Sequence, residues 1–343
     1  MKIGLVGYQG GGKSTLFELL TGVTPDPAKV QSGQVGVATL PDERFGKLVE
    51  MYQPKKITPA KIELFDTPGL SRSDAVNSAQ RLGVIREAHA LVQVIGTFAG
   101  IDAVQEVSAF QDDLVLADLQ VVSNRVEKLK VDAKKPRPDR DELQAELDAL
   151  LPIESLLNEG QSLLETEFSE VQEKACKSFS LLTKKQLLVV LNSADSDFDR
   201  SVVEKIEQLD LHVVVAPVGL ELEVQDLPED ERAEFAVEMG LGDPCKEVLL
   251  KAIFKVTDQI NFYTCDEKEV HAWLLKRGSS ALEAAGSIHT DLARGFIRAE
   301  VVAVDDLLRL GSEREVKAAN LHHVEGKEYL VQDGDEIVIR FNV

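Results

Sequence analysis

Apolar positions along the chain follow two rhythms. Lys2-Ile3-Gly4-Leu5-Val6 is a β-branched run too short for a helix and predicts a buried strand. Thr15-Leu16-Phe17-Glu18-Leu19-Leu20 then repeats with the spacing of an amphipathic helix. Lys61-Ile62-Glu63-Leu64-Phe65 alternates like a strand, and Leu91–Ile95, Lys185–Leu191 and His212–Val215 read as further buried strands. Strands alternating with helices predict parallel βαβ units, an α/β fold whose ligands sit at the carboxyl ends of the strands.

From Leu114 the period changes. Leu119, Val122, Val126 and Leu129 keep a heptad-like spacing, Pro136 and Pro138 interrupt it, and Leu143, Leu147, Leu150 and Leu151 resume it, with Leu156, Leu157, Leu163 and Leu164 beyond. This predicts an antiparallel helical hairpin with its tip near Lys134–Pro138. The last ~80 residues instead show short strand-like runs spaced by turn signals. They are Asn261–Thr264, Glu269–Trp273, Phe296–Val301, Glu328–Val331 and Glu336–Arg340, with one helix at Ser280–Ala285. The expected organisation is an α/β nucleotide domain in two parts, residues 1–113 and 183–258, a helical insertion at 114–182 and an α+β module at 259–343.

The motif loops fall at predicted strand ends. Gly7-Tyr8-Gln9-Gly10-Gly11-Gly12-Lys13-Ser14 satisfies the phosphate-loop pattern G-x-x-x-x-G-K-[ST], between a strand and a helix opened by Thr15. Gly7, Gly10, Gly11 and Gly12 let the backbone wrap a polyphosphate, Lys13 reaches the β- and γ-phosphates, and Ser14 holds Mg²⁺. Asp66-Thr67-Pro68-Gly69-Leu70 follows the second strand-like run: Asp66 is placed to support the metal and Gly69 to offer its N–H to the γ-phosphate. Lys13 and Gly69 are therefore the catalytic candidates. No Arg-rich lid accompanies them, which separates a nucleotide switch from a small-molecule kinase.

Asn192-Ser193-Ala194-Asp195 lies where a guanine-reading loop, N-K-x-D, would fall, with Asn192 and Asp195 bordering the base and Ser193 replacing the Lys; a plain turn is the alternative. Gly219 to Glu223 would flank the same base. Thr21 to Leu40, with Thr24, Ser32 and Thr39, reads as a loop that covers the γ-phosphate or as an ordinary connection.

Composition narrows the setting. Of 343 residues, 44% are hydrophobic and 28% charged, an ordinary globular balance. No run is long enough to span a bilayer and no signal-peptide core opens the chain, so a cytoplasmic protein without membrane contact is expected. Cys176, Cys245 and Cys265 are odd in number and scattered, and His271, His289, His322 and His323 lack metal-ligand spacing. The net charge of −21 excludes nucleic-acid binding by the surface at large. Against it Lys128, Lys130, Lys134, Lys135, Arg137 and Arg140 cluster near the hairpin tip, either a contact to ribosomal or transfer RNA or a solvated helix end.

With these segments placed, the chain resembles the YchF/Obg-like ATPase family over nearly its full length. The resemblance is carried by Thr264-Cys265-Asp266-Glu267-Lys268-Glu269-Val270 with Ala272-Trp273, Ala284–Asp291, Gly295–Glu300, Val331-Gln332-Asp333-Gly334-Asp335 and Arg340-Phe341-Asn342-Val343. These segments are similar to the family's TGS domain, a β-grasp fold. The resemblance implies a P-loop NTPase with a coiled-coil insertion, ribosome association and Mg²⁺-dependent hydrolysis of GTP or ATP, by a monomer.

One residue departs from other GTPases, and three stretches depart from the family pattern. Leu70 stands where classical GTPases carry a water-orienting Gln, as it does in this family. Gln9-Gly10-Gly11 replaces P-N-V, removing an Asn that helps coordinate a monovalent cation. Val30 stands where a switch Thr would be, and Asp195 takes the place of a Glu. These mark a divergent paralogue. The expected function is a slow, ribosome- or RNA-associated switch; the alternative is a nucleotide-binding adaptor with little or no hydrolysis.

Overall fold

The computed structural model describes residues 1–342 except 30–31, 71–81, 137, 196–197 and 243, and except the side chain of residue 99. Val30, Arg137 and Val343, named above, lie outside the described residues. The chain packs as two compact units, one of residues 2–36 and 63–246, the other of residue 1, 37–62 and 247–343.

One six-stranded sheet comprises β1 (Lys2–Val6), β2 (Gln34–Thr39), β4 (Lys61–Asp66), β5 (Ala90–Gly96), β6 (Gln186–Asn192) and β7 (His212–Ala216), in the order β2-β4-β1-β5-β6-β7. β1 pairs in parallel with β4 and β5, and the parallel ladder continues through β6 to β7. β5 is buried at every position, as a central parallel strand covered on both faces should be. The doubly apolar runs seen in the sequence have this cause.

The hairpin is formed by α3 (Ala103–Asp132) and α4 (Arg140–Asn158), following α1 (Lys13–Thr21) and α2 (Glu43–Tyr52) in the chain. Val122, Val126 and Leu129 bury against Leu147, Leu150, Ile153 and Leu157, so the heptad-like spacing is the inner stripe of the pair. The helix starts well before Leu114, at a cap in which Asp102 accepts from the Gln105 N–H. Its first turns serve a different core: Val107, Phe110 and Leu114 pack with Leu91, Ile95 and Val189 of the sheet.

One buried cluster anchors the hairpin to the sheet. Arg86 donates to Asp118 Oδ1 at 2.6 Å and to the Ala117 carbonyl at 3.0 Å. Asp118 is fully buried, and its Oδ2 accepts from both the N–H and the hydroxyl of Thr183 at 2.8 Å.

The second unit carries a six-stranded sheet in the order β11-β10-β12-β8-β9-β3. Its strands are β3 (Lys56–Thr58), β8 (Gln259–Cys265), β9 (Glu269–Lys276), β10 (Phe296–Ala303), β11 (His323–Glu325) and β12 (Asp335–Phe341). Two features differ from the expected division. The strand expected at Glu328–Val331 shrinks to a turn at Lys327–Glu328 and a single antiparallel bridge between Leu330 and Ser280: Ala281 donates to the Tyr329 carbonyl and Val331 to that of Ser279, and no ladder follows. The edge position goes to β11. Residues 37–62, expected in the nucleotide domain, pack with the C-terminal residues because β3 extends their sheet through a parallel pairing with β9.

Asp118→Ala would leave the Arg86 guanidinium and the Thr183 donors without their shared acceptor. Its expected cost is about 3–5 kcal/mol, the usual penalty for breaking a buried pair from one side. Urea unfolding of the full chain checks this, and an unchanged midpoint would show that the cluster carries no stability.

Candidate functional site

The five residues of β1 deliver the chain to a turn that only glycine can make. Gly12 has φ +92°, and a Cβ there would lie 2.1 Å from Asn192 Nδ2; one at Gly11 would lie 2.6 Å from the Val94 carbonyl oxygen. The loop Gly7–Gly12 thus lies directly on the carboxyl ends of β5 and β6. It leads into α1, whose first residues are Lys13, Ser14 and Thr15.

A cavity of ≈ 630 Å³ opens at this turn, lined at one end by Gly10, Gly12, Lys13, Ser14 and Thr15. Phe98, Asn192, Ser193, Ala194, Gly219, Leu220 and Glu223 complete its lining. The glycine loop with N–H groups at a helix start supplies a polyphosphate cradle. Lys13, 7% exposed, donates from Nζ to the Tyr8 carbonyl at 2.8 Å and so lies folded over the loop. A Cβ on Gly69 would come within 2.9 Å of that Nζ, so the absence of a side chain there keeps the lysine's space open.

Ser14 and Asp66 meet although far apart in the chain. Ser14 Oγ donates to Asp66 Oδ2 at 2.7 Å, while Asp66 Oδ1 is buried with no hydrogen-bond partner. Burial raises the Asp66 pKa above its ordinary value, partly offset by the Ser14 hydroxyl and the Lys13 charge. A hydroxyl and a carboxylate with an orphaned oxygen, beside a phosphate cradle, form the oxygen donor set that fits Mg²⁺. Neither residue alone would carry this inference.

Leu70 is used structurally. It is 4% exposed, packed in the core with Tyr8, and its N–H donates to the Gly7 carbonyl while its carbonyl accepts from Gln9 N–H. Asn192 likewise serves as a brace: Nδ2 donates to the Gly11 carbonyl at 3.2 Å and Oδ1 accepts from Val218 N–H. Both ends of its amide are engaged with backbone. Asp195 is exposed and does not belong to the lining; its carbonyl accepts from Ser193 Oγ. The structure therefore brings Lys13, Ser14, Thr15, Gly10, Gly12 and Asn192 onto the cavity, with Gly7, Gly11, Asp66 and Gly69 behind or beside it.

Two residues escaped the motif reading. Phe98, 54% exposed, stands at the cavity after β5, where its only sequence signal was an aromatic just past a strand end. Tyr8 is an unspecified position of the phosphate-loop pattern, yet its hydroxyl donates to Asp113 Oδ2 on α3 at 2.8 Å. That bond ties the loop to the hairpin's long helix.

Comparison with known proteins accounts for both units. A family model described as 50S ribosome-binding GTPase matches residues 2–125. The YchF-GTPase C-terminal model, described as a protein of unknown function (DUF933), matches residues 259–342. Ribosome-binding ATPase YchF of Bacillus subtilis (strain 168) is 33% identical over 99% of this chain and 99% of its own length. The chain belongs to the YchF/Obg-like ATPase family. Obg-like ATPase 1 of Oryza sativa subsp. japonica is 30% identical over 100% of this chain and 92% of its own. The solved structure of the Schizosaccharomyces pombe YchF GTPase superposes with a TM-score of 0.83 at 25% identity, covering 99% of this chain and 97% of that one. The YchF-type chain is thus an enzyme of the P-loop nucleoside triphosphatase class. Among its described residues no helix is long and apolar enough to cross a membrane.

Asp66→Asn tests the metal pairing. The amide removes the cost of burying a charge and still accepts from Ser14, so the thermal midpoint of the ligand-free protein should hold or rise. The gain in triphosphate affinity on adding Mg²⁺ should fall roughly 10–100-fold, the range seen when a metal site's supporting groups are changed. Titration with and without Mg²⁺ reads this directly, and an intact Mg²⁺ effect in the variant would remove Asp66 from the site.

Proposed function

We propose that this chain binds a purine nucleoside triphosphate, GTP or ATP, with Mg²⁺, hydrolyses it slowly, and acts as a switch associated with the ribosome. The observation that carries the proposal is the meeting of Ser14 with the half-unsatisfied Asp66 beside a buried Lys13 at a glycine turn. Bound Mg²⁺ would neutralise developing charge on the β- and γ-oxygens. The chain's part is to cradle the phosphates with loop N–H groups, to bring Lys13 over them, and to hold the loop in place through the packed Leu70 segment. Relatives named as ribosome-binding ATPases and a solved YchF GTPase support the activity and the partner alike.

The adenine or guanine choice falls to the remaining base-side lining. Asn192 is spent on the loop and Asp195 stands outside the cavity, so Phe98, Ser193, Ala194, Gly219, Leu220 and Glu223 surround the base. Contact with RNA is assigned to the hairpin tip. There Lys134 is exposed, Lys135 pairs with Asp132 at 2.8 Å, and Arg140 donates from Nε to the Ala133 carbonyl. Of these cations Lys135 has an acid partner within the tip, while the Arg140 bond to a neutral carbonyl leaves its charge uncompensated by that contact.

The adaptor reading draws on one observation: the Leu70 side chain is buried and its backbone is zipped to the loop, so this residue positions no water. Single-turnover phosphate release, with and without ribosomes, separates the two. Switch behaviour requires a rate above the uncatalysed level that ribosomes change; a background rate in both conditions would favour the adaptor.

Lys13→Ala should weaken triphosphate binding by about 2–5 kcal/mol, the usual loss on truncating one partner of a buried charge pair. Isothermal titration with GTP, ATP and their diphosphates measures it and ranks the bases in the same series. Unchanged affinity in the variant would defeat the assignment.

A further inference from the structure

One buried acid of the C-terminal unit lies among residues that take no part in the nucleotide cavity. Glu336 of β12 is 4% exposed. Its Oε1 lies 2.9 Å from the Tyr52 hydroxyl at the end of α2, and the same hydroxyl lies 3.1 Å from Glu313 Oε1 on the helix Glu313–Ala318. Glu336 Oε2 is buried without a hydrogen-bond partner.

The proton count is decisive. A phenol has one proton to donate, and an ionised carboxylate has none. For Tyr52 to make a full two-centre bond to each carboxyl, and not share one hydrogen between them, one carboxyl carries a proton and donates it to the phenol oxygen. Glu313 is half-exposed, and Lys317 lies 3.5 Å from its Oε2, so solvent and a cation both face it. Glu336 is cut off from solvent and has no cation of its own; besides Tyr52, the Cys265 thiol is the hydrogen-bonding group that favours its charged form. Its neighbours from each packed element are Tyr52 of α2, the Cys265 thiol of β8, and Glu313 and Lys317 of the helix Glu313–Ala318. Lys317 is the one cation of this set, and it is occupied by Glu313.

We propose that Glu336 is held as a neutral acid and forms, with Tyr52 and Glu313, a proton-dependent clasp that fixes α2 on the C-terminal sheet. Protonated Glu336 donates to the Tyr52 oxygen, and Tyr52 donates onward to Glu313. Loss of the proton leaves two carboxylates competing for one phenol hydrogen, one of them buried.

Burial raises the Glu336 pKa to about 7, with Glu313 adding to the shift and the Tyr52 hydroxyl, the Cys265 thiol and the Lys317 charge opposing it. The sign follows from linkage. Between the ordinary glutamate value of 4.5 and about 7 the closed state binds more protons than the opened one, so the clasp weakens as pH rises through this window. Below 4.5 it is at full strength, and above about 7 the loss is complete.

Hydrogen exchange of the α2 amides in the full chain, corrected for the intrinsic pH dependence of exchange, tests the clasp. Wild-type protection should fall about tenfold between pH 6 and pH 8, the change expected for one proton bound with these two affinities. Glu336→Gln offers a neutral donor of the same shape and should keep α2 protected, with no such fall. Carbon-13 titration of the wild-type Glu336 carboxyl provides a reading that needs no variant, and it should show ionisation near neutrality. Ionisation in the ordinary glutamate range, or a Glu336→Gln protein that retains the wild-type pH dependence, would overturn the proposal.

Discussion

The site depends on a steric constraint: backbone must lie where side chains would not fit. At Gly11 and Gly12 the loop touches the Val94 carbonyl and the Asn192 amide so closely that any Cβ would displace one of them. That approach lets the loop N–H groups turn inward at the start of α1, where the helix dipole favours phosphate. It also commits Asn192, whose amide bridges the Gly11 carbonyl and the Val218 N–H. Thr97 adds a bond from its hydroxyl to the Asn192 carbonyl. The loop, β5, β6 and the helix Val218–Asp226 are therefore held as one piece, and a residue that motif logic assigns to base reading is consumed in holding it.

A second consequence concerns Leu70. In a GTPase with Gln at this position the side chain must reach out to water. Here the side chain goes inward to Tyr8 and the core, and the peptide on either side pairs with Gly7 and Gln9. Tyr8 in turn receives Lys13 on its carbonyl and holds Asp113 through its hydroxyl. Phosphate loop, metal-side loop and hairpin helix thus converge on one residue. Burial raises the Asp113 pKa despite the bond from Tyr8, so this link joins a partly desolvated acid to the loop.

What could be read from sequence was what is local. The phosphate loop, the Asp66–Gly69 turn and the hairpin stripe of Val122, Val126 and Leu129 each lie within one short stretch, where period and residue type suffice. Phe98 was not legible because an isolated aromatic after a strand has no pattern to distinguish it from a core residue. Tyr8–Asp113, Asn261–Asp42 and Tyr52–Glu336 join residues 105, 219 and 284 positions apart, and nothing local announces such pairs. The false strand at Glu328–Val331 shows the reverse error: β-forming residues are present, but loop carbonyls claim their N–H groups first.

The placement of residues 37–62 follows from the same long-range bonds. Asp42 caps α2 by accepting from Arg44 and Phe45 N–H, and its other oxygen accepts from Asn261 Nδ2 and the Tyr263 hydroxyl of β8. Arg44 then reaches Asp333 at 2.9 Å, and Asp333 accepts the Asn261 N–H. A carboxylate surrounded by four donors recovers much of the cost of leaving water, whereas any one of those donors moved to solvent would leave a charge poorly compensated. The same helix ends at Tyr52, between two acids. α2 is therefore bound at both ends by charge and proton balance, not by apolar area alone, and its position answers to the ionisation of groups on the sheet beneath it.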